Sequence, residues 1–178
     1  MFEIVTIIAA VLAVAIVVVL ILAATKSSTL RVQRATSINA PADKIFPMIN
    51  DFHQWRGWSP YEDKDPVMQR TYEGAATGKG AVYAWDGNKN VGSGRMEILE
   101  ASVPSRITIK LDFFKPFEGH NTAEFTMDPK GDNTTVTWAM YGPSSLIFKV
   151  MSTFMDMDKM IGTDFAAGLA NLKATAEK

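Results

Sequence analysis

The sequence contains no cysteine, only two histidines and no excess of basic residues. The lack of cysteine excludes a disulfide framework, a thiol nucleophile and a cysteine-ligated metal site. His53 and His120 are too few imidazoles for a typical zinc or non-haem iron site, so we expect no metal and no other cofactor. The 18 Lys and Arg residues are balanced by 19 Asp and Glu residues, which argues against nucleic-acid binding by bulk charge.

The sequence also lacks the spacing patterns of several catalytic sites. It has no Ser-His-Asp arrangement and no paired-carboxylate signature. The glycine pairs at 78–80 and 92–94 do not match a phosphate-binding loop or a dinucleotide fingerprint. The sequence therefore describes architecture more clearly than chemistry.

A single long apolar run, residues 4–24, stands near the N-terminus. Its 21 residues contain no charge, glycine or proline and are interrupted only by Thr6. A helix of this length spans about 32 Å, close to the ~30 Å hydrocarbon core of a bilayer. A cleaved signal peptide is the alternative, but no Lys or Arg precedes the run and no small-residue cleavage site follows it. We therefore expect an uncleaved single-pass membrane anchor and linker over residues 1–28.

The charges on the two sides of this run predict its orientation. Only Glu3 and the terminal amine precede it, whereas Lys26, Arg31 and Arg34 follow it. Positive residues favour the cytoplasmic side of a membrane. We expect residues 29–178 to form one domain on the cytoplasmic side, and the pattern carries no information on its oligomeric state.

The first part of this domain predicts one strand followed by short helical segments. Residues 30–38 are typical of a strand, and the proline at 41 predicts a helix over 42–49 that is capped by Asn39 or Ala40. The aromatic segment 51–61 has no regular period. The charged run 62–66 is typical of a solvent-exposed turn.

The apolar residues then alternate with a period of two. The clearest strand is 107–113, and similar pieces joined by short turns predict about five to seven antiparallel strands. After position 143 the apolar residues recur at spacings of three and four, which predicts an amphipathic C-terminal helix. This helix is expected in one or two pieces, with an irregularity at 155–158 and a cap at Ser144 or Ser145.

This order of elements predicts an α+β fold in which a curved antiparallel sheet wraps the long C-terminal helix. The short helices can hold the sheet away from that helix and leave a cavity, although a filled core is the alternative. The ten methionines favour a binding surface, because methionine adapts to ligands and specifies packing poorly. The expected cavity residues are Trp55, Trp58, Tyr83, Trp85, Met96, Ile98, Ile109, Leu111, Phe113, Phe125, Met127, Trp138, Met140, Met151, Phe154 and Phe165.

Several short motifs add a family resemblance. They are SINAP at 37–41, WSP at 58–60, GKG at 78–80, YAW at 83–85, GSG at 92–94 and GTDFAAGLANLK at 162–173. As a set, these motifs resemble the SRPBCC (START-like) superfamily, in particular a membrane-anchored bacterial form of its polyketide cyclase/dehydrase group. The resemblance covers residues 30–178 and implies the helix-grip fold with a hydrophobic cavity. It implies no single reaction, because the superfamily includes lipid carriers, hormone receptors and cyclases.

Three functions are compatible with these observations. We favour the binding of a hydrophobic small molecule or lipid, because binding needs no catalytic group. The first alternative is a cyclase- or dehydratase-like enzyme whose acid or base would be His53, His120, Tyr83 or Arg95, although strand alternation points Arg95 toward solvent. The second alternative is an interaction module with a filled core, in which the aromatic segment 52–61 contacts a partner protein.

Overall fold

The N-terminal apolar run forms one continuous helix. The computed structural model describes residues 2–178, and helix α1 covers Phe2–Ala24. Within those residues, α1 is the one helix that is long and apolar enough to cross a membrane. Its start lies two residues before the run predicted from the sequence, because Phe2 and Glu3 extend the same helix.

The rest of the chain is built on one curved antiparallel sheet of seven strands. The strands lie in the order β1-β7-β6-β5-β4-β3-β2, so the first strand pairs with the last. This arrangement confirms the predicted α+β helix-grip fold. The strands are β1 (Thr29–Ile38), β2 (Gln69–Gly74), β3 (Ala81–Asp86), β4 (Ser93–Ser102), β5 (Arg106–Lys115), β6 (Gly119–Lys130) and β7 (Asn133–Pro143).

Three short helices connect β1 to β2. Helix α2 is Ala42–Asn50, and its N-terminal cap position is Pro41 rather than the predicted Asn39 or Ala40. The aromatic segment is more regular than its sequence suggests, since a 3₁₀ helix covers Phe52–Gly57 and α3 covers Pro60–Lys64. These helices close one end of the space between the sheet and the C-terminal helix.

The C-terminal helix consists of two pieces, as the sequence allows. Helix α4 is Leu146–Phe154 and helix α5 is Met157–Ala176. The Ser145 hydroxyl accepts a hydrogen bond from the Phe148 amide, and the Asp156 carboxylate accepts one from the Lys159 amide. Each piece therefore has its own N-terminal cap, which explains the break between them.

Helix α5 packs closely across the concave face of the sheet. The indole of Trp138 stacks on Phe165, with ring centroids 4.2 Å apart and planes 8° apart. Gly168 allows this approach, since a Cβ at that position would lie 2.7 Å from Cζ3 of Trp138. Trp58 and Phe125 extend the aromatic cluster toward the 3₁₀ helix. One half of the space under α5 is thus filled by aromatic side chains.

One end of the sheet gathers the elements that matter for function. The strand register pairs Thr29 with Pro143, Ser93 with Lys115, and Phe113 with Gly119. The end of α1, the start of α4, the β3–β4 turn and the β5–β6 turn therefore lie at this same end, which we call the mouth end. The β4–β5 turn lies at the opposite end, where Ser102 pairs with Arg106.

Candidate ligand-binding cavity

A cavity of about 370 Å³ lies between the sheet and helices α4 and α5, toward the mouth end. Its size falls within the range of small-molecule sites. Its walls come from β1, β3 to β7, the 3₁₀ helix and both C-terminal helices, and they are mainly apolar. Ten of the residues expected from the sequence line it: Trp55, Tyr83, Trp85, Met96, Leu111, Phe113, Trp138, Met140, Met151 and Phe165.

The other six expected residues do not line the cavity. Trp58, Ile98, Ile109, Phe125 and Met127 are buried in the filled half of the core. Phe154 is 70% exposed at the end of α4. Strand alternation identifies the face of the sheet on which a residue lies. It does not identify the position along the strand at which the packed core gives way to the cavity.

Several lining residues were not expected from the sequence. Met157, Met160 and Ile161 of α5 belong to the methionine-rich stretch, and the helical period could have placed them on the cavity side. The β5–β6 turn contributes Phe117, for which no periodic signal exists. Ala123 of β6 also lines the cavity, and its small side chain leaves open space there.

The cavity contains one buried polar group that the sequence analysis did not identify. Glu62 is only 7% exposed and lines the cavity, so the charged run 62–66 is not a fully solvated turn as predicted. The Tyr83 hydroxyl donates to Glu62 Oε1 at 2.7 Å, and Arg70 Nε donates to Glu62 Oε2 at 2.7 Å. Strands β2 and β3 supply these partners, and because they lie outside helix α3, the pattern within the charged run does not reveal the burial of Glu62.

Burial and the hydrogen bond to Glu62 raise the pKa of the Tyr83 phenol well above its ordinary range. The phenol is therefore neutral and its proton is committed to the carboxylate. A ligand that enters the cavity meets Glu62 paired with Arg70, and the phenol of Tyr83 beside it.

Trp138 presents a second polar atom in this region. Its Nε1 is buried and has no hydrogen-bond partner among residues 2–178. A buried N–H without an acceptor costs free energy of about 1–3 kcal/mol. Trp138 lines the cavity with other atoms of its ring, whereas Nε1 has almost no accessible surface and is enclosed by the protein.

Only one of the four catalytic candidates lies at the cavity. Tyr83 lines it, as described above. His53 is exposed, bonds to Asp51 at 2.9 Å and stacks on Tyr72. His120 is also exposed, and its Nδ1 lies 2.8 Å from Asp112.

The outer face of the sheet holds the remaining candidate. Arg95 pairs with Glu97 at 2.8 Å, and it stands opposite Asp112 on the neighbouring strand. Met96 lines the cavity, so alternation places Arg95 on the other face, as the sequence predicts. Within residues 2–178, no group of three or more His, Asp or Glu side chains is arranged to hold a metal ion.

Three of the four large aromatic side chains in the segment 52–61 are buried rather than presented at the surface. Phe52, Trp55 and Trp58 are each less than 5% exposed. The indole N–H of Trp55 donates to the backbone carbonyl of Ile49, and that of Trp58 donates to the backbone carbonyl of Met48. Both carbonyls belong to α2. The segment therefore builds one wall of the core and of the cavity.

Comparison with solved structures shows the same fold in several proteins. A solution structure from Thermobifida fusca is 20% identical, with a TM-score of 0.61 over 82% of this chain and 92% of that chain. Major latex-like protein 151 from Panax ginseng is 14% identical, with a TM-score of 0.58 over 85% of this chain and 100% of that chain. The di-domain ARO/CYC protein BexL of the BE-7585A biosynthetic pathway is 14% identical, with a TM-score of 0.60 over 88% of this chain and 53% of that chain. At these identities the likeness shows the fold alone.

Comparison by sequence gives the family. None of the curated proteins matches the chain. The model of the family described as polyketide cyclase/dehydrase and lipid transport matches residues 29–177, which is most of the chain. The chain therefore belongs to the polyketide cyclase/dehydrase and lipid transport family, within the SRPBCC (START-like) superfamily.

Proposed function

We propose that this protein binds a hydrophobic small molecule or lipid in its cavity and holds that cavity next to a membrane. The observation that carries the proposal is the cavity of about 370 Å³, whose walls are mainly apolar and include nine aromatic and six methionine residues. Water gains few hydrogen bonds in such a space, so the space favours an apolar molecule. The lipid-transport part of the family description and the ARO/CYC protein of the same fold both support a ligand of this kind.

Residues 1–28 serve as the anchor and linker in this proposal, and residues 29–178 serve as the binding domain. The support is the length and apolarity of α1, together with the three basic residues that follow it. These charges favour a cytoplasmic binding domain. A phosphatase that is active only outside the cytoplasm should be inactive when it is fused after residue 178. Activity of this fusion would show that the binding domain lies on the other side of the membrane.

The polar atoms of the cavity restrict the class of ligand. Glu62 is an acceptor already shared by Tyr83 and Arg70, and most of the other lining residues are apolar. A ligand with an apolar body and few polar atoms fits walls of this kind. Fatty acids, sterol-like molecules and aromatic polyketides all meet this description.

A cavity-filling substitution tests the proposal. The segment 27–178 retains the whole core, which contains no residue before Leu30, and is the material for the test. Ala123→Phe places a ring in the cavity, so we expect roughly tenfold weaker binding of a fluorescent fatty acid than in the unchanged segment. Ala139→Phe is the matched control, because Ala139 is buried on the neighbouring strand but does not line the cavity.

The outcome is read from titrations and melting curves together. Weak binding by Ala123→Phe, with the fold retained and with Ala139→Phe unchanged, supports the cavity as the binding site. Equal binding by all three proteins would place the ligand elsewhere and contradict the proposal.

One observation favours a second function, a cyclase-like enzyme. Tyr83 and Glu62 form a buried acid–base pair, joined by a 2.7 Å hydrogen bond, within the cavity. Such a pair can hold or deliver a proton beside an apolar substrate. If this function is correct, Tyr83→Phe abolishes turnover of an aromatic polyketide but retains its binding; binding without any turnover by the unchanged protein favours the carrier.

A further inference from the structure

Helix α4 is an apolar helix that the protein does not bury. Its sequence LIFKVMSTF contains one charge, at Lys149, and no residue of the helix is buried. Leu146 is 61% exposed, Ile147 is 50% exposed and Phe154 is 70% exposed. A continuous exposed apolar surface of this kind marks a contact with another hydrophobic phase.

The partner of α4 within the chain is the apolar helix α1. Ala23 of α1 is fully buried and Val19, one turn earlier, is half-buried, whereas the other described residues of α1 are exposed. Helix α4 is the element that packs against α1. The contact therefore falls on the last two turns of α1, at the end that joins the body of the protein.

This geometry fixes where α4 would lie relative to a bilayer. A helix of 23 residues spans the hydrocarbon core from one side to the other. Helix α4 packs against the final turns of α1, so it would lie at the boundary between the acyl chains and the headgroups. An amphipathic helix with exposed Leu, Ile and Phe is suited to that position.

The turn between β5 and β6 extends the same surface. Phe117 of this turn is 49% exposed, Phe114 near the end of β5 is 53% exposed, and the strand register places the turn at the same mouth end as the start of α4. Phe117 also lines the cavity, as do Ile147, Phe148 and Met151 of α4. The exposed apolar surface therefore borders the cavity on the side of α4 and the β5–β6 turn, at the same end of the sheet as α1.

We propose that α4 and the β5–β6 turn dock on the bilayer leaflet in which α1 ends, so that the cavity opens toward the acyl chains. The proposal rests on the membrane anchoring proposed above, and it adds a second contact with the lipid. The occupant of this surface is lipid, because α4 packs against the last turns of α1 and the exposed surface of α4 is therefore next to the apolar surface of α1. Ligand then enters and leaves from the bilayer rather than from water.

Spin labels on the full chain in phosphatidylcholine and phosphatidylglycerol vesicles test the docking. The chain has no cysteine, so each single-cysteine variant carries one label. Phe154→Cys probes the docking surface and Val14→Cys probes the middle of α1. Val103→Cys is the matched control, since Val103 is 71% exposed in the β4–β5 turn at the opposite end of the sheet.

Collisions with oxygen report contact with lipid, and collisions with a nickel chelate report contact with water. We expect the labels at 154 and 14 to be protected from nickel and open to oxygen, and the label at 103 to show the reverse. A label at 154 that behaves like the label at 103, with 14 in lipid, would overturn the docking and leave the anchor intact. A label at 14 in water would overturn both.

The rate of ligand uptake tests the second part of the proposal. Leu146→Asp with Phe154→Asp changes two exposed residues that do not line the cavity. We expect the double variant to take up a fluorescent fatty acid from vesicles roughly tenfold more slowly than the unchanged chain, with equal binding from detergent solution. Val103→Asp should change neither quantity. Uptake at the unchanged rate would show that the cavity does not fill through this surface.

Discussion

Glu62 is a buried carboxylate that depends on two partners from neighbouring strands. It accepts hydrogen bonds from Tyr83 and from Arg70, whose side chain is only 12% exposed. The attraction of such a pair offsets the loss of hydration only while both charges are present. The stability of the cavity wall is therefore sensitive to the removal of one partner.

We expect Glu62→Ala to lower the free energy of unfolding of the segment 27–178 by about 3 kcal/mol, because Arg70 would remain buried without a counter-charge. Urea denaturation measures this change. Asp63→Ala is the matched control at an exposed position of the same helix, with an expected change within about 0.5 kcal/mol. A loss of similar size in both variants would mean that helix α3, and not the buried ion pair, is responsible.

The raised pKa of Tyr83 predicts how stability changes at alkaline pH. Burial first, and then the hydrogen bond and charge of Glu62, favour the neutral phenol in the folded state. In the unfolded chain the phenol has its ordinary pKa of about 10. The neutral phenol of Tyr83 therefore contributes its full share to the free energy of unfolding below that pH, and this share is lost as the pH rises above it.

We expect the melting temperature of the segment 27–178 to fall above pH ~10, and to fall less steeply in Tyr83→Phe. Tyr61 and Tyr72 also have raised pKa values, so the variant retains part of the dependence. Thermal melts between neutral and alkaline pH test this. Identical slopes for the two proteins would show that Tyr83 does not titrate with unfolding.

At the scale of elements, the contact between α5 and the sheet determines how closely the helix approaches. Gly168 lies against Trp138 and Pro60, and a Cβ there would be 2.7 Å from one and 2.9 Å from the other. The glycine of GLANLK in the C-terminal motif, Gly168, is therefore needed for close packing of α5 against Trp138. The stack of Trp138 on Phe165 depends on it.

We expect Gly168→Ala to lower the free energy of unfolding by about 1–3 kcal/mol, because α5 must move away from Trp138. Gly57→Ala is the matched control, since a Cβ at position 57 has no neighbour within 4 Å. Urea denaturation followed by tryptophan fluorescence measures both. If Gly168→Ala is as stable as Gly57→Ala, the close approach of α5 is not a constraint.

The strands and the two helical pieces could be predicted from the sequence because each is encoded by a local period. Ile107, Ile109 and Leu111 alternate within β5, and the break at 155–156 follows from a new cap at Asp156. The position of Arg95 on the outer face follows from the same alternation. These features require only neighbours within one element.

The interior of the site could not be predicted in the same way. Ile109 and Leu111 share one face of β5, yet only Leu111 lines the cavity, because the aromatic cluster fills the space beyond it. Glu62 stands in a run of charges and is buried only through contacts with β2 and β3. Both properties depend on which distant elements meet, and that information is not local.

At the scale of the whole molecule, the strand register places the end of α1, helix α4 and the β5–β6 turn at one end of the sheet. Residues 25–28 are the short connection between α1 and β1. In the proposed function this connection holds the mouth end close to the lipid surface. In that proposal, the family fold and the apolar helix together present an apolar cavity to molecules dissolved in a bilayer.

Native mass spectrometry of the segment 27–178, mixed with a fatty acid or an aromatic polyketide, tests the central claim most directly. The account predicts a species heavier by the mass of one ligand, and a much smaller fraction of this species for Ala123→Phe than for Ala139→Phe. Empty protein under every condition, with no uptake of either ligand by the unchanged segment, would contradict it.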